Sequence, residues 1–130
     1  MGRTPKQAVE VAGLWVSIDR VEYHPELPAR VEQPYPLVYF ITIHNDSDRT
    51  VRLTHRKWIV TDAAGEKYIL EGEAIVGKKP RLEPGEIFSY NSYHIIGSDS
   101  IAEGSYHGVD EFDNRIFVRI PPFALTVPAA

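Results

Sequence analysis

Apolar and polar side chains alternate along most of this chain, and this two-residue period constrains the fold more than any other feature. The run at 37–44 (LVYFITIH) is typical, because Leu37, Tyr39, Ile41 and Ile43 fall on one face of an extended strand. Successive side chains of a strand point to opposite faces of its sheet, whereas a helix repeats every 3.6 residues. No window of about ten residues combines a helical period with helix caps. We therefore predict a chain of strands in which any helix is short.

Turn-forming residues divide the chain into about seven or eight short strands, at the spacing typical of a sandwich or barrel. Ala12-Gly13 is predicted to form a bulge in the first strand, and Pro121-Pro122 is predicted to break the sheet near the end. The predicted strands cover 9–18, 37–44, 50–61, 66–70, 87–96, 102–109 and 116–120, with a last edge strand at 123–127.

Two segments do not follow the strand pattern. The segment 22–36 contains four prolines, which lack the N–H group that a central strand needs, and it is predicted to be a loop or an edge excursion. The segment 71–81 is rich in glycine and lysine and is predicted to be irregular.

Two motifs favour an immunoglobulin or fibronectin-III-like β-sandwich of antiparallel strands. Leu82-x-Pro-Gly-x-x-Phe88 resembles the turn that enters a strand in such domains, and Gly104-x-Tyr106-x-Gly108 resembles their tyrosine-corner strand. We expect Trp58, Phe88 and Tyr106 to lie in the core. No linker divides residues 1–130, so we predict one domain, preceded by a flexible tail at 1–8.

The composition indicates in which compartment the protein works and which classes of partner it does not bind. The chain has 14 Lys and Arg against 18 Asp and Glu, a net charge of -4, so no broad positive field would attract nucleic acid. Cysteine is absent, which fits a reducing compartment. The sequence predicts neither a signal peptide nor a segment of membrane-spanning length. We predict a cytoplasmic protein that binds neither nucleic acid nor membrane.

From Arg56 onward the residues resemble the ApaG (DUF525) family. Strands at 11–21 and 39–45 stand where that family has its first two, so the resemblance covers nearly all the chain. Its specificity comes from the order and spacing of these segments: Arg56-Lys-Trp58-Ile-Val-Thr61-Asp62-Ala-Ala-Gly65, Gly72-Glu-Ala-Ile-Val-Gly77-Lys-Lys-Pro80-x-Leu82-x-Pro84-Gly85-Glu86-x-Phe88-x-Tyr90, Gly104-Ser-Tyr106, Asp110 and Phe117-x-Val-x-Ile120-Pro-x-Phe123-x-Leu125.

The resemblance implies a fibronectin-III-like sandwich with no established enzymatic activity. It also implies a loose association with cobalt and magnesium tolerance, and, because the domain occurs appended to other proteins, protein–protein contact. The chain departs from the family pattern at Ala74, where the family has the middle glycine of GxGxxG, and at Lys57, where it commonly has His. Asn91-Ser92-Tyr93 replaces the family's Thr-Ser-Gly.

The glycine-rich segment is the candidate small-molecule site. Successive N–H groups next to small residues can form a nest for an anion, and nearby cations would add positive charge. We predict binding of phosphate, pyrophosphate or a nucleotide there, against the alternative of a plain connection between sheets with solvated lysines. The residues of this predicted site are Gly72, Ala74, Gly77, Lys78, Lys79 and Arg81.

Histidines raise the question of a metal site. His94 and His107 lie on strands predicted to be neighbours, where they could meet across a ladder, and Asp110 or Glu111 could complete a site. Their spacing does not establish ligand geometry, so we predict no metal and no cofactor.

The sequence contains no recognisable combination of catalytic residues. There is no Gly-x-Ser-x-Gly elbow, and Ser92 or Ser105 near a histidine makes only an isolated pair. Because no base, nucleophile and oxyanion site can be named together, we predict that the chain is not an enzyme.

Aromatic residues are more numerous than a narrow core requires, and those in loops or near strand ends are candidates for exposure: Tyr23, Tyr35, Tyr68, Tyr93 and Phe112. Exposed aromatics are favoured in protein interfaces. We therefore predict a protein–protein interaction module that binds a partner, or a second copy of itself, through a strand edge or an aromatic loop end. The alternative is the phosphate binder, linked to cobalt and magnesium homeostasis.

Overall fold

The computed structural model describes residues 7–129, and within them it contains nine β-strands and no α-helix. Residues 1–6 of the predicted tail lie outside the described residues. The strands are β1 (Val9–Glu10), β2 (Leu14–Tyr23), β3 (Tyr35–Asn45), β4 (Val51–Thr61), β5 (Lys67–Glu73), β6 (Arg81–Leu82), β7 (Ile87–Ile96), β8 (Ser100–Asp110) and β9 (Arg115–Leu125).

Two sheets form the layers of a sandwich, which confirms the predicted fold class. The larger sheet has the order β1-β9-β8-β4-β5, with β6 also paired to β4, and the smaller sheet has the order β2-β3-β7. Pairing is antiparallel throughout except between β1 and β9, which run parallel. Nothing in residues 7–129 provides a helix that could cross a membrane.

The core lies between the sheets, where the alternating apolar residues face one another. Trp58 of β4 and Tyr106 of β8 are buried, as predicted, and Phe88 of β7 is half-buried and packs against the same cluster. The Trp58 ring lies 4.9 Å from the ring of Tyr39 in the opposite sheet. Tyr90 and Tyr106 join the sheets through a hydrogen bond between their hydroxyl groups.

Gly13 transfers the chain from one sheet to the other. It has φ of 88°, a left-handed conformation that glycine adopts without strain, and its carbonyl accepts a hydrogen bond from the N–H of Asp46. The prediction that Ala12-Gly13 forms a bulge within a single first strand is wrong, because β1 joins the larger sheet beside β9 whereas β2 joins the smaller one.

Pro121-Pro122 does not break the sheet, contrary to the prediction. β9 continues to Leu125, and the two prolines oppose Glu103 of β8 at a register shift, so they form a bulge. Among residues 7–129, the other side of β9 pairs with β1 only at Ile116 and Phe117. Proline is tolerated at such an edge because no ladder hydrogen bond is needed from its nitrogen.

Gly108 allows a close approach between β8 and β4, and substituting it should destabilise the fold. A Cβ atom at this position would overlap the carbonyl of Arg52, which is backbone and cannot rotate away. We predict that Gly108→Ala lowers the free energy of unfolding by about 1–3 kcal/mol, as overpacking does elsewhere. Urea denaturation measures the loss. Glu103→Ala, an exposed change on the same strand, serves as the control and should stay within about 0.5 kcal/mol of wild type.

Candidate functional site

The sandwich is open on the side where β5 ends the larger sheet and β7 ends the smaller one. Within residues 7–129, β5 pairs only with β4 and β7 pairs only with β3. A groove of about 740 Å³ runs along this side, between the loop at 28–33 and the two edge strands, and we call it the edge groove. Volumes of this size hold drug-sized ligands or inserted side chains.

β5 presents three consecutive apolar residues at its edge. Tyr68, Ile69 and Leu70 are 40%, 59% and 50% exposed, although they lie in the middle of a strand. Tyr68 and Leu70 lie opposite Val60 and Trp58 of β4, whose side chains face the core, and both line the edge groove. Ile69 therefore points to the opposite face of the sheet. The apolar run offers both side-chain surface and an unpaired backbone.

Three other strand edges of the sandwich, those of β1, β9 and β2, carry protections that discourage pairing with foreign strands. β1 has only two residues, and β9 carries the prolines described above. β2 has a register shift after Ile18 and an exposed Arg20–Glu22 ion pair. β7, across the groove, has an exposed row in which polar Ser89 and Asn91 separate Ile87 from Tyr93, so it presents no continuous apolar run. The centre of β5 has none of these features.

His94 of β7 lies at the inner end of the edge groove. Its ring packs at 4.8 Å from Trp58 and 4.9 Å from Tyr39, and the residue is 8% exposed. Its Nε2 atom has no hydrogen-bond partner among residues 7–129. Burial lowers the pKa of His94 to about 4, because the low-dielectric surroundings disfavour the charged ring. The imidazole is therefore neutral at physiological pH.

The predicted meeting of His94 with His107 does not occur. β7 and β8 belong to different sheets, so these histidines are not on neighbouring strands. His107 instead lies opposite His55 of β4, and its Nε2 shares a 2.7 Å hydrogen bond with Ser105. Within residues 7–129 no three His, Cys, Asp or Glu side chains are placed to hold a metal ion together.

The glycine-rich segment is more regular than the sequence predicts. Gly72 belongs to β5, and the chain then turns through Val76 and Gly77, whose φ angles of 44° and 78° have the signs of a type I′ turn. Ile75 and Lys78 exchange backbone hydrogen bonds across this turn. Ala74 also has a positive φ, and its N–H donates to the carbonyl of Thr54.

These hydrogen bonds bear on phosphate binding at this segment. The N–H groups of Ala74, Ile75 and Lys78 donate within the chain, so three amides of the proposed nest are engaged. The side chains of Lys79 and Arg81 lie 3.6 Å and 3.4 Å from glutamate carboxylates of their own neighbourhood, Glu73 and Glu83. Phosphate binding through Gly72, Ala74, Gly77, Lys78, Lys79 and Arg81 stays a prediction.

Four of the five aromatic residues predicted to be exposed are exposed in the structure. Tyr23, Tyr68, Tyr93 and Phe112 are exposed, with Phe112 at 78%. The prediction for Tyr35 is wrong, because it begins β3 and packs, half-buried, against the core. The exposed residues are spread over different loops and strands and do not form one rim. Tyr68 and Tyr93 alone among them line the edge groove.

Sequence reasoning missed two exposed apolar residues of the candidate site, Ile69 and Leu70. The sequence does contain a signal for them. Successive side chains of a strand point to opposite faces, so three apolar residues in a row cannot all face the core of the sandwich. It also missed a polar network on the outer face of the smaller sheet, where the ring of Trp15 stacks on His44 at 3.9 Å. There Ser17 lies 2.9 Å from His44 and donates to Asp19.

Comparison with known proteins places this architecture in a family. The family model described as DUF525, the ApaG domain, matches residues 25–110, which include all of β3 to β8 and both edge strands of the groove. The chain belongs to the ApaG family.

Its relatives share most of their length with it. The protein ApaG of Vibrio cholerae is 36% identical over 97 residues, which are 74% of this chain and 77% of that protein. The protein ApaG of Deinococcus radiodurans is 37% identical over 109 residues, covering 82% and 84%. A crystal structure from Bordetella pertussis, described as an ApaA protein, superposes with a TM-score of 0.80 at 31% identity, covering 94% of this chain and 99% of that one.

Buried His94 predicts that this ApaG protein loses stability in mild acid. Well above pH 6.5 the ring is neutral in both folded and unfolded chains, so it contributes no pH dependence there. Between pH 6.5 and about 4 the unfolded chain takes up a proton that the folded chain excludes, which lowers the free energy of unfolding by up to roughly 3 kcal/mol.

Urea denaturation at a series of pH values measures this loss. His94→Leu, which removes the titrating group, should show a flatter profile between pH 6.5 and 4 than the wild type. Equal slopes in the two proteins would contradict a buried neutral ring. Titration of the His94 ring by NMR in the wild type gives the folded-state pKa directly.

Thermal unfolding with pyrophosphate tests the predicted phosphate site. A site filled at 100 times its Kd adds about 2.7 kcal/mol to stability, which raises Tm measurably. The prediction requires that Lys78→Ala combined with Lys79→Ala abolishes the rise. A rise that survives in the double variant places the anion elsewhere, and no rise in the wild type removes the site altogether.

Proposed function

We propose that this ApaG protein is a non-enzymatic protein-binding module and that the edge of β5 is its binding surface. The observation that carries the proposal is the exposed run Tyr68-Ile69-Leu70 on a strand that has no partner on its outer side in the described residues. Such a strand offers a row of unpaired N–H and C=O groups to an extended segment of another chain.

The adjoining edge groove adds side-chain specificity to this surface. In strand addition, main-chain hydrogen bonds give affinity, and pockets that receive alternate side chains give selectivity. The groove lies beside Tyr68 and Leu70 and is bordered on the other side by Tyr93. An apolar side chain of the partner inserted here would be enclosed between aromatic surfaces, which are favoured in interfaces.

The hydroxyl–imidazole pairs support a non-catalytic role. Ser17 donates its proton to Asp19, so His44 does not stand as the base that activates it. Ser105 contacts His107, but no carboxylate of residues 7–129 lies within hydrogen-bonding distance of that ring to orient it. A nucleophile needs both an adjacent base and a group that positions the base. The lack of cysteine supports, in the same proposal, a cytoplasmic location.

Ile69→Lys should strongly weaken binding of the partner protein. The charged side chain would have to be desolvated when another strand covers this edge, which is costly. The test is a pull-down from the native host with tagged wild type and variant, followed by titration of the purified partner. We expect its Kd to rise at least tenfold.

Ile87→Lys is the matched control, because Ile87 is also 59% exposed and also lies on an edge strand, β7. It should bind the partner as the wild type does. A partner that binds both variants equally, or that is lost from both, contradicts β5 as the binding surface.

A further inference from the structure

The central residues of β5 are complementary to themselves when two copies run antiparallel. The run reads Lys67-Tyr68-Ile69-Leu70-Glu71, with a cation before and an anion after a symmetric apolar centre. We propose that a second copy of this chain pairs with β5, antiparallel and with Ile69 opposite Ile69 of the second copy. This inference rests on the proposed function, because it takes the β5 edge as a protein-binding surface and names the partner.

The hydrogen-bond pattern of the hairpin shows which residues have free backbone groups at the edge. At one end of the β4–β5 ladder the N–H of Ala74 donates to Thr54, and at the other end the N–H of Asp62 donates to Glu66. In an antiparallel ladder, hydrogen-bonded pairs alternate with non-hydrogen-bonded pairs. The even-numbered residues of β5 therefore direct their N–H and C=O groups towards β4.

The odd-numbered residues, Lys67, Ile69 and Glu71, consequently direct theirs outward. In the proposed register Ile69 lies opposite Ile69, and Lys67 lies opposite Glu71 of the second copy. Only odd-numbered residues then meet in the hydrogen-bonded positions, so each of the three donates one bond and accepts one across the junction. The backbone geometry of β5 and the proposed register agree without any rearrangement of the hairpin.

Side chains meet favourably in the same register. Lys67 faces Glu71 of the second copy, and the two-fold axis repeats this ion pair on the other side of the centre. Tyr68 faces Leu70, which is an aromatic–aliphatic pair, and Ile69 faces Ile69. Directly opposed pairs of these kinds stabilise sheets, whereas opposed like charges destabilise them.

Neighbouring registers match less well. Centring the junction on Leu70 also keeps odd residues in the hydrogen-bonded positions, but it places Ile69 opposite Glu71. A shift by one residue in one copy would oppose odd with even residues and would lose the backbone bonds. Ile59 of β4 lies beside Ile69 on the same face, so pairing at Ile69 also extends an apolar patch across the two copies.

Charge swaps test the pairing of the two copies. In Lys67→Glu, the new carboxylate at position 67 would face Glu71 of the second copy, and this repulsion would occur twice. In Glu71→Lys, two lysine side chains would face each other twice. Each variant alone should dimerise at least about tenfold more weakly than the wild type, since opposed like charges replace two ion pairs. Mixed in equal amounts, the two variants should form a heterodimer, because every opposed pair is then attractive again.

Sedimentation velocity over a wide concentration range measures these Kd values, with circular dichroism confirming that each variant is folded. The double variant Lys67→Glu with Glu71→Lys restores both ion pairs of the junction and should dimerise more tightly than either single variant, although its lysine at 71 loses the ion pair with Lys57. Ile87→Lys should dimerise like the wild type. Ile69→Lys should be monomeric. The proposal is overturned if the wild type is monomeric throughout the range or if the mixed variants stay as monomeric as each does alone.

The outcome also separates this inference from the proposed function. If the mixed variants do not pair but Ile69→Lys still loses a partner protein that Ile87→Lys retains, β5 binds a different protein and self-pairing is wrong. If the wild type dimerises with the same Kd in every β5 variant, self-association uses another surface and the inference is equally overturned.

Discussion

Contact between the aromatic rings of the two sheets is the interaction on which the rest of this structure depends. Trp58 of the larger sheet packs against Tyr39 and His94 of the smaller sheet, and Phe123 of β9 packs against both Trp58 and Tyr39. Large rings bury more surface per residue than aliphatic side chains, so a few of them suffice to hold two layers together. The same contact removes His94 from water and leaves its Nε2 without a hydrogen bond among residues 7–129.

That cluster lies close to the open side of the sandwich, and this position connects the core to the binding surface. Trp58 is directly opposite Leu70 in the β4–β5 ladder, so the strand next to the tryptophan is also the strand that ends the sheet. β5 therefore connects the two regions, since Tyr68 and Leu70 lie beside the core residues Val60 and Trp58 of β4 while the outer edge of β5 stays unpaired within residues 7–129.

The sequence predicts the layers well because they depend on local periodicity. The alternation at 37–44, the turn from Leu82 to Phe88 and the strand around Tyr106 each appear in the structure where they are predicted. Predictions fail where the outcome depends on which strand becomes the neighbour. Pro121-Pro122 is a breaker in a central ladder but a bulge on an edge, and the sequence alone does not say which situation applies.

The candidate site is harder to predict for the same reason. His94 and His107 are each on a strand, as expected, but their meeting requires β7 and β8 to be paired, and this sandwich sends these consecutive strands to different sheets. The apolar run at 68–70 is visible in the sequence, but its meaning changes with position. In a central strand it would be buried on both faces, and at an edge it is a surface for another chain.

Once β5 is known to be an edge strand, residues 67–71 also indicate whether the strand can pair with a second copy of itself, which the alternation of apolar and polar residues does not show. Antiparallel pairing of a strand with its own copy opposes residues that are equally far from the two-fold axis, so self-complementarity reduces to a comparison within one short segment. Lys67 and Glu71 are equidistant from Ile69, and so are Tyr68 and Leu70. The direction of the backbone groups, fixed by the β4–β5 ladder, then selects the odd residues as the centre of pairing. Charge, shape and hydrogen bonding at this edge thus agree on one register.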